Sequence, residues 1–153
     1  MSPRPFAVDE AVMAAIRPMT TEDVCDVARL HHAAMGSSTW ALLGQRFLRN
    51  LYRALLQDDR FLGWVYADGE GVRGFIAGSE DTDAMMSATF RRAWMRLGVA
   101  ALPRALKPAL ALKLIQTQSY QDVSGGTQMP ESLFCSFEPA LRGKRISGHI
   151  NKV

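Results

Sequence analysis

Apolar and polar positions along the first half of the chain predict an edge strand, two helices and a hairpin. Residues 15–19 form a short apolar run whose proline favours a sheet edge. Residues 21–35 and 44–57 repeat apolar positions every three or four residues, which predicts two amphipathic helices. Two runs rich in β-formers, 61–67 and 72–79, flank a turn of Asp and Gly and therefore predict a β-hairpin.

The second half predicts helices followed by one more strand. Residues 84–121 carry six basic and no acidic side chains and are rich in Ala, Leu and Met, so we expect two or three helices inserted into a sheet-forming chain. Residues 131–137 form a β-type run that a Glu-Pro pair ends. Residues 1–13 are expected to be a loose leader. The pattern as a whole predicts one α+β domain over residues 1–153.

Composition limits the class of protein. The chain has 153 residues, of which 48% are hydrophobic and 22% charged, which fits one packed domain. Its net charge of +3 is too small to argue for nucleic-acid binding. Cys25 and Cys135 lie in apolar patterns without zinc spacing, so we expect two reduced core residues of a cytoplasmic protein. No run approaches the ~18 uncharged apolar residues of a membrane-spanning helix, and the N-terminal residues do not form a secretory signal.

The most informative chemistry lies where the last predicted strand runs into a basic turn. Arg142, Gly143, Lys144, Arg145 and Gly148 occupy this turn, and the residues after it would open a helix. Backbone N–H groups in such a turn, together with the positive end of a helix, can hold a pyrophosphate. Judged on these residues alone, a solvated loop remains the alternative.

The order of the elements, with the Glu-Pro pair and the basic turn, resembles the GNAT family of acyl-CoA-dependent N-acetyltransferases. AIRPMTTEDVCDVARL (15–30) is similar to the family's opening strand and helix, and GVRGFIAG (71–78) to its third strand. ESLFCSFEPALRGKRISGHI (131–150) is similar to its fourth strand and pyrophosphate loop. The resemblance implies the first four strands of a GNAT-like mixed sheet flanked by helices, with the basic helical insertion (84–121) between strands three and four.

The resemblance also implies where acetyl-CoA would bind. Arg142 is the first residue of the loop motif, Arg145 stands where the family has Gly, and Ser147 stands where it has Gly or Ala. A positive φ at Arg145 would be strained, whereas its guanidinium could instead bind phosphate. Phe137 stands where a family residue pairs its backbone with the pantetheine arm. The implied cofactor-binding set is Phe137, Arg142, Gly143, Lys144, Arg145, Ser147 and Gly148.

The implied activity is direct transfer of an acetyl group from acetyl-CoA to a primary amine of a small molecule or peptide. Such a reaction needs a base for the amine and no metal, and Glu131 stands where some members of the family carry that base. An exposed strand-end carboxylate is the alternative interpretation of Glu131. Glu80 and Asp81 are weaker candidates for the base.

The resemblance ends shortly after the basic turn. A complete member of the family continues with a helix and a splayed fifth strand, so we expect this frame to be truncated after Gly148. The alternative function is therefore a catalytically incomplete fragment that binds a ligand or pairs with a partner, including a homodimer formed through an exposed strand edge. Association with a membrane surface through the basic insertion is less favoured than a helical lid.

Overall fold

The computed structural model describes residues 9–109 and 131–141, together with Ile146 and His149. These residues form five helices and four strands, with short 3₁₀ turns at Thr21–Asp23 and Pro139–Leu141. In chain order the elements are α1 (Glu10–Ala14), β1 (Ile16–Pro18), α2 (Val24–Ala34), α3 (Thr39–Leu42), α4 (Gln45–Leu55), β2 (Phe61–Asp68), β3 (Gly71–Ser79), α5 (Thr82–Ala105) and β4 (Glu131–Phe137).

The four strands form one sheet in the order β1-β2-β3-β4, and every pairing is antiparallel. The predicted hairpin is confirmed as β2 and β3, and the proline-containing strand β1 lies at the sheet edge as expected. The α+β class is therefore confirmed. The mixed sheet implied by the resemblance is not seen among the described strands, because none of them pairs in parallel.

The first long helix begins at a hydrogen-bonded junction with β1. The backbone N–H of Thr20 donates to Oδ2 of Asp23 at 2.8 Å, which is the reciprocal bond of a capping box. Arg17 of β1 donates to both carboxylate oxygens of Asp23 at 2.7 Å each. The Asp23 side chain is buried, so this bidentate pair fastens the start of the helix to the strand.

Each face of the sheet carries an apolar cluster, and one cluster is larger than the other. Val65, Phe75 and Ala77 on the first face pack against α2, α4 and α5 to form the main core. The opposite face carries a smaller cluster around Ile16 and Tyr66, to which α1 contributes. Alternation along the strands separates the two sets, because neighbouring side chains point to opposite sides of a sheet.

The predicted basic insertion begins with one continuous helix of 24 residues, α5, whose Pro103 lies inside its last turn. Its inner side places Met85, Ala93 and Leu97 in the main core. Its outer side exposes large apolar side chains, with Met95 63% and Leu106 just beyond the helix 74% accessible. The remainder of the predicted insertion, residues 110–121, lies outside the described residues.

Two further expectations differ from the structure. The last part of the predicted leader is helical, because Asp9 caps α1 by accepting hydrogen bonds from the backbone N–H groups of Ala11 and Val12. The predicted burial of Cys25 and Cys135 is wrong, since both are exposed. Ser136, next to Cys135, is buried and points to the other face of the strand, whereas Val24, next to Cys25, is buried about a quarter turn away around α2.

Candidate functional site

The outer edge of β4 is where the coenzyme is expected. This strand ends the sheet order, and none of the described strands pairs with its second edge. Glu131 is in register with Ser79, and Phe137 is in register with Gly74. The predicted base and the predicted coenzyme contact therefore lie at opposite ends of β4, about 20 Å apart at the rise of an extended strand.

The register also decides which backbone groups face this edge. The N–H of Glu138 donates to the carbonyl of Arg73 at 2.9 Å, so these two residues form a hydrogen-bonded pair. The adjacent pair, Phe137 and Gly74, is then a non-hydrogen-bonded pair of the antiparallel ladder. The N–H and C=O of Phe137 consequently point away from β3, towards the second edge of β4.

The Phe137 ring packs over Gly74, its cross-strand partner, which has no side chain. A Cβ on Gly74 would overlap Cδ1 and Cε1 of Phe137, so the ring lies directly over the glycine. It packs against the smaller core cluster of the second sheet face. The side chain therefore fixes the end of β4 while the backbone faces outward.

Described residues anchor the segment that was predicted to be a basic turn. Ile146 and His149 are both helical, so the expectation that a helix opens only after Gly148 is wrong at Ile146. Leu141 and Ile146 are buried in the smaller core cluster. His149 is 2% exposed, and its Nε2 accepts a hydrogen bond from the backbone N–H of Asp9 at 2.9 Å. The chain thus returns from β4 to the sheet face that carries α1. Six predicted coenzyme contacts lie outside the described residues: Arg142, Gly143, Lys144, Arg145, Ser147 and Gly148.

An ion-pair network fixes the exit of β4. Arg73 donates to Glu138 at 3.1 Å and to Asp68 at 3.0 Å, and Arg29 of α2 lies 3.4 Å from Glu138. Glu70 adds a further carboxylate at 2.6 Å from Arg73. Because both arginines are paired with carboxylates, their charge is already balanced within the protein, and Glu138 has the structural role expected of a turn residue.

The two weaker candidates for a base lie at the other end of β3. Asp81 is the N-cap of α5, since its Oδ1 accepts from the backbone N–H of Ala84 at 3.0 Å. Glu80 is exposed and next to Ser79, the register partner of Glu131. The capping bond accounts for Asp81, whereas Glu80 lies at the same end of the sheet as Glu131.

A buried histidine-tyrosine pair lies beneath β4. His31 of α2 and Tyr52 of α4 are both fully buried, and Nδ1 of His31 lies 2.8 Å from the Tyr52 hydroxyl. The His31 ring stands 4.6 Å, centroid to centroid, from that of Phe134. Its Nε2 has no hydrogen-bond partner among the described residues. Burial, and secondarily the charge of neighbouring His32, lowers the pKa of His31 to about 4, so the ring is neutral at pH 7.

The contacts between α2 and β4 show in which direction the helix runs along the strand. Arg29 contacts Glu138, and the carbonyl of Leu30 accepts from Oγ of Ser136 at 3.3 Å. His31, one residue further, contacts Phe134. The helix therefore advances along β4 in the direction of Glu131.

The adjacent residues His31 and His32 face different directions on α2, as expected of neighbours on a helix. The structure places His31 in the core and His32 at the wall of a cleft formed with the end of α5. The helical period around Val27 and Leu30 is the signal that could have separated them, because only His31 continues the buried side.

Searches against family models, curated proteins and solved structures find no match to this chain. Within residues 9–109 and 131–141, the structure contains no group of three or more His, Cys, Asp or Glu side chains that could hold a metal ion. No helix in the same part of the chain is long and apolar enough to cross a membrane.

Proposed function

We propose that the chain is a GNAT-type, cytoplasmic N-acetyltransferase that moves an acetyl group from acetyl-CoA to a primary amine. The observation that carries the proposal is the outward-facing backbone of Phe137 on the second edge of β4, a few residues before the segment predicted to bind the diphosphate. An extended amide-containing arm can add to such an edge as a strand would. The diphosphate would then meet the turn that contains Arg142 and Arg145.

The strand sets the direction in which the substrate would lie. With the diphosphate at the Phe137 end, the thioester would lie towards Glu131. Glu131 would remove a proton from the ammonium form of the acceptor, because only the free amine attacks a carbonyl. The amine nitrogen would then bond to the acyl carbon as the carbon–sulfur bond breaks, and the coenzyme thiolate would take up a proton.

Titration calorimetry tests coenzyme binding, and the sharpest comparison is acetyl-CoA against acetyl-pantetheine, which lacks the diphosphate. We expect acetyl-CoA to bind at least about ten-fold more tightly, because the charge-assisted hydrogen bonds to phosphate together contribute more than the about 1.4 kcal/mol that a ten-fold change in affinity requires. The triple variant R142Q/K144Q/R145Q should lose this preference, whereas K152Q, a neutralisation beyond the motif, should keep it. A folded sample that gives no heat with acetyl-CoA would remove the proposal.

Turnover should be followed by mass spectrometry of the acetylated amine. A thiol-reactive dye would also label the exposed Cys25 and Cys135, which would obscure release of the coenzyme thiol. E131Q should lower the rate most at low pH, where less of the amine is already deprotonated. An unchanged rate in E131Q would reject its role as the base.

The second candidate is a non-catalytic module that pairs through β4. The open edge of this strand favours it, because unpaired N–H and C=O groups accept a further strand. Light scattering after size exclusion separates the two proposals. Strand pairing predicts a dimer or larger complex that persists on dilution, and a monodisperse monomer contradicts it.

A further inference from the structure

A basic cleft of about 390 Å³ opens between the end of α2, the short helix α3 and the end of α5. His32, Arg104 and Lys107 contribute its charged and polar side chains, while Ala41 and Leu42 provide an apolar wall. None of the described residues that line it is acidic. This volume lies within the range of sites for small organic ligands, which is roughly 300–1,000 Å³.

The two cations of the cleft differ from the paired arginines of the described structure. Arg17, Arg60 and Arg73 each form an ion pair with a carboxylate, whereas neither Arg104 nor Lys107 has one among the described residues. The whole stretch 84–121 also contains no acidic residue. Uncompensated cations that converge on a concave surface attract an anion, because their fields add within the cleft.

The guanidinium of Arg104 lies close to a glycine. Gly44 precedes α4 with φ +93°, a backbone conformation that side chains disfavour. A Cβ at this position would overlap the Nη1 and Cζ atoms of Arg104, so the guanidinium lies against the bare backbone. A planar guanidinium offers its N–H groups in the fork that binds carboxylate or phosphate.

The cleft lies far from the predicted base. The helix α5 begins just after Ser79, the register partner of Glu131, and Arg104 lies 22 residues further along this helix, about 33 Å at the rise of an α-helix. We propose that this cleft is a separate binding site for the carboxylate or phosphate group of a small anionic ligand. The affinity of the cleft for an anion does not rest on the proposed acetyl transfer.

A purely structural role for these cations makes a different prediction. Arg104 and Lys107 lie near the C-terminal end of α5, where cations stabilise the helix dipole. Loss of that role would lower the melting temperature without changing the affinity for a free anion. Anion affinity is therefore the readout that separates the two roles.

The first test is titration of the coenzyme-free protein with inorganic phosphate and, separately, with acetate. We expect saturable binding of at least one of these anions, which R104Q/K107Q weakens at least about ten-fold. R91Q/R96Q is the matched control, because it removes the same number of charges from exposed positions on α5 outside the cleft. Absence of binding, or an equal loss in R91Q/R96Q, would overturn the proposal.

A second pair of variants tests the geometry of Arg104. G44A and G71A both place a side chain at a positive φ, but only G44A would displace the guanidinium, since a Cβ at Gly71 has open space around it. We expect G44A alone to weaken anion binding. Equal affinities in these two variants would contradict the proposed support of Arg104 by Gly44.

Acetyl-transfer kinetics test whether this anion site is separate from the acceptor site. We expect R104Q to leave KM unchanged for phosphoethanolamine and β-alanine as well as for ethanolamine, which lacks the anion. A rise in KM of about ten-fold that is confined to the anionic amines would place the acceptor in the cleft and overturn the proposed separation. If acetyl-CoA does not bind but phosphate does, the acetyl-transfer function fails and the anion site stands; the reverse result rejects the cleft alone.

Discussion

The buried His31–Tyr52 pair makes the stability of the fold depend on pH in a calculable way. The pKa of His31 is about 4 in the folded chain against 6.5 for an exposed histidine, chiefly because the ring is fully buried. Protonation therefore favours the unfolded chain. The contribution of this group is fully present above pH 6.5 and is lost as the pH falls from 6.5 to 4.

The size of the effect follows from the two pKa values. One unit corresponds to about 1.4 kcal/mol, so the full loss between pH 6.5 and pH 4 is about 3 kcal/mol. Between pH 6 and pH 5 the unfolded chain binds almost one proton more than the folded chain, which gives a slope of about 1 kcal/mol per pH unit.

Urea unfolding at pH 7, 6 and 5, followed by tryptophan fluorescence, measures this slope. The double variant H31L/Y52F removes both hydrogen-bonding partners together, so neither polar group is left buried alone, and its free energy of unfolding should be nearly flat over the same range. H32Q is the control and should keep most of the wild-type slope, because burial is the larger cause of the lowered pKa of His31. A wild-type stability that does not change between pH 7 and pH 5, or an unchanged slope in H31L/Y52F, would refute this reasoning.

Three further predictions concern the framework. G74A should destabilise the chain by about 1–3 kcal/mol and weaken coenzyme binding because its methyl group displaces the Phe137 ring, while G69A, with open space around its Cα, should be nearly neutral in the same unfolding assay. D23N should lower the free energy of unfolding by about 1–2 kcal/mol, since the charge-assisted bonds from Arg17 are lost while the half-exposed guanidinium stays hydrated; an effect below about 0.5 kcal/mol would contradict this. Hydrogen bonds from Arg60 lower the pKa of Asp58 to about 2, so its contribution to stability is present above pH 4 and is lost between pH 4 and pH 2. D58N should reduce this loss of stability at acid pH in a series of melting temperatures.

Local patterns predicted most of the sheet and the two packed helices. The hairpin was predictable because its strands are adjacent in sequence and their turn contains Asp and Gly. The helices α2 and α4 were predictable because each has one apolar side. The helix α3 was not predicted, since its four residues follow a run of Gly and Ser that favours a break. Ser38 of this run in fact caps the helix, accepting from the N–H of Ala41 at 3.3 Å.

Features that depend on distant residues were not predictable from the pattern. The contact of His31 with Tyr52 joins two different helices, and that of Arg104 with Gly44 joins the end of α5 to the start of α4. Neither pair has a spacing that a helical or strand period would reveal. The exposed side of α5 was not predictable for another reason. Apolar residues lie on both sides of this helix, so the pattern does not show which side is buried.

The position of β4 in the chain has a consequence for the order of assembly. The strands β1, β2 and β3, together with the helices α2 and α4, are complete within the first 79 residues, whereas β4 joins its neighbour only after the whole stretch from residue 79 to residue 131 has been looped back. Closing so long a loop costs entropy before any pairing compensates for it, so we expect this strand to dock late in folding. Amide exchange should accordingly be faster in β4 than in the hairpin, and any ligand that lies along the strand would slow that exchange.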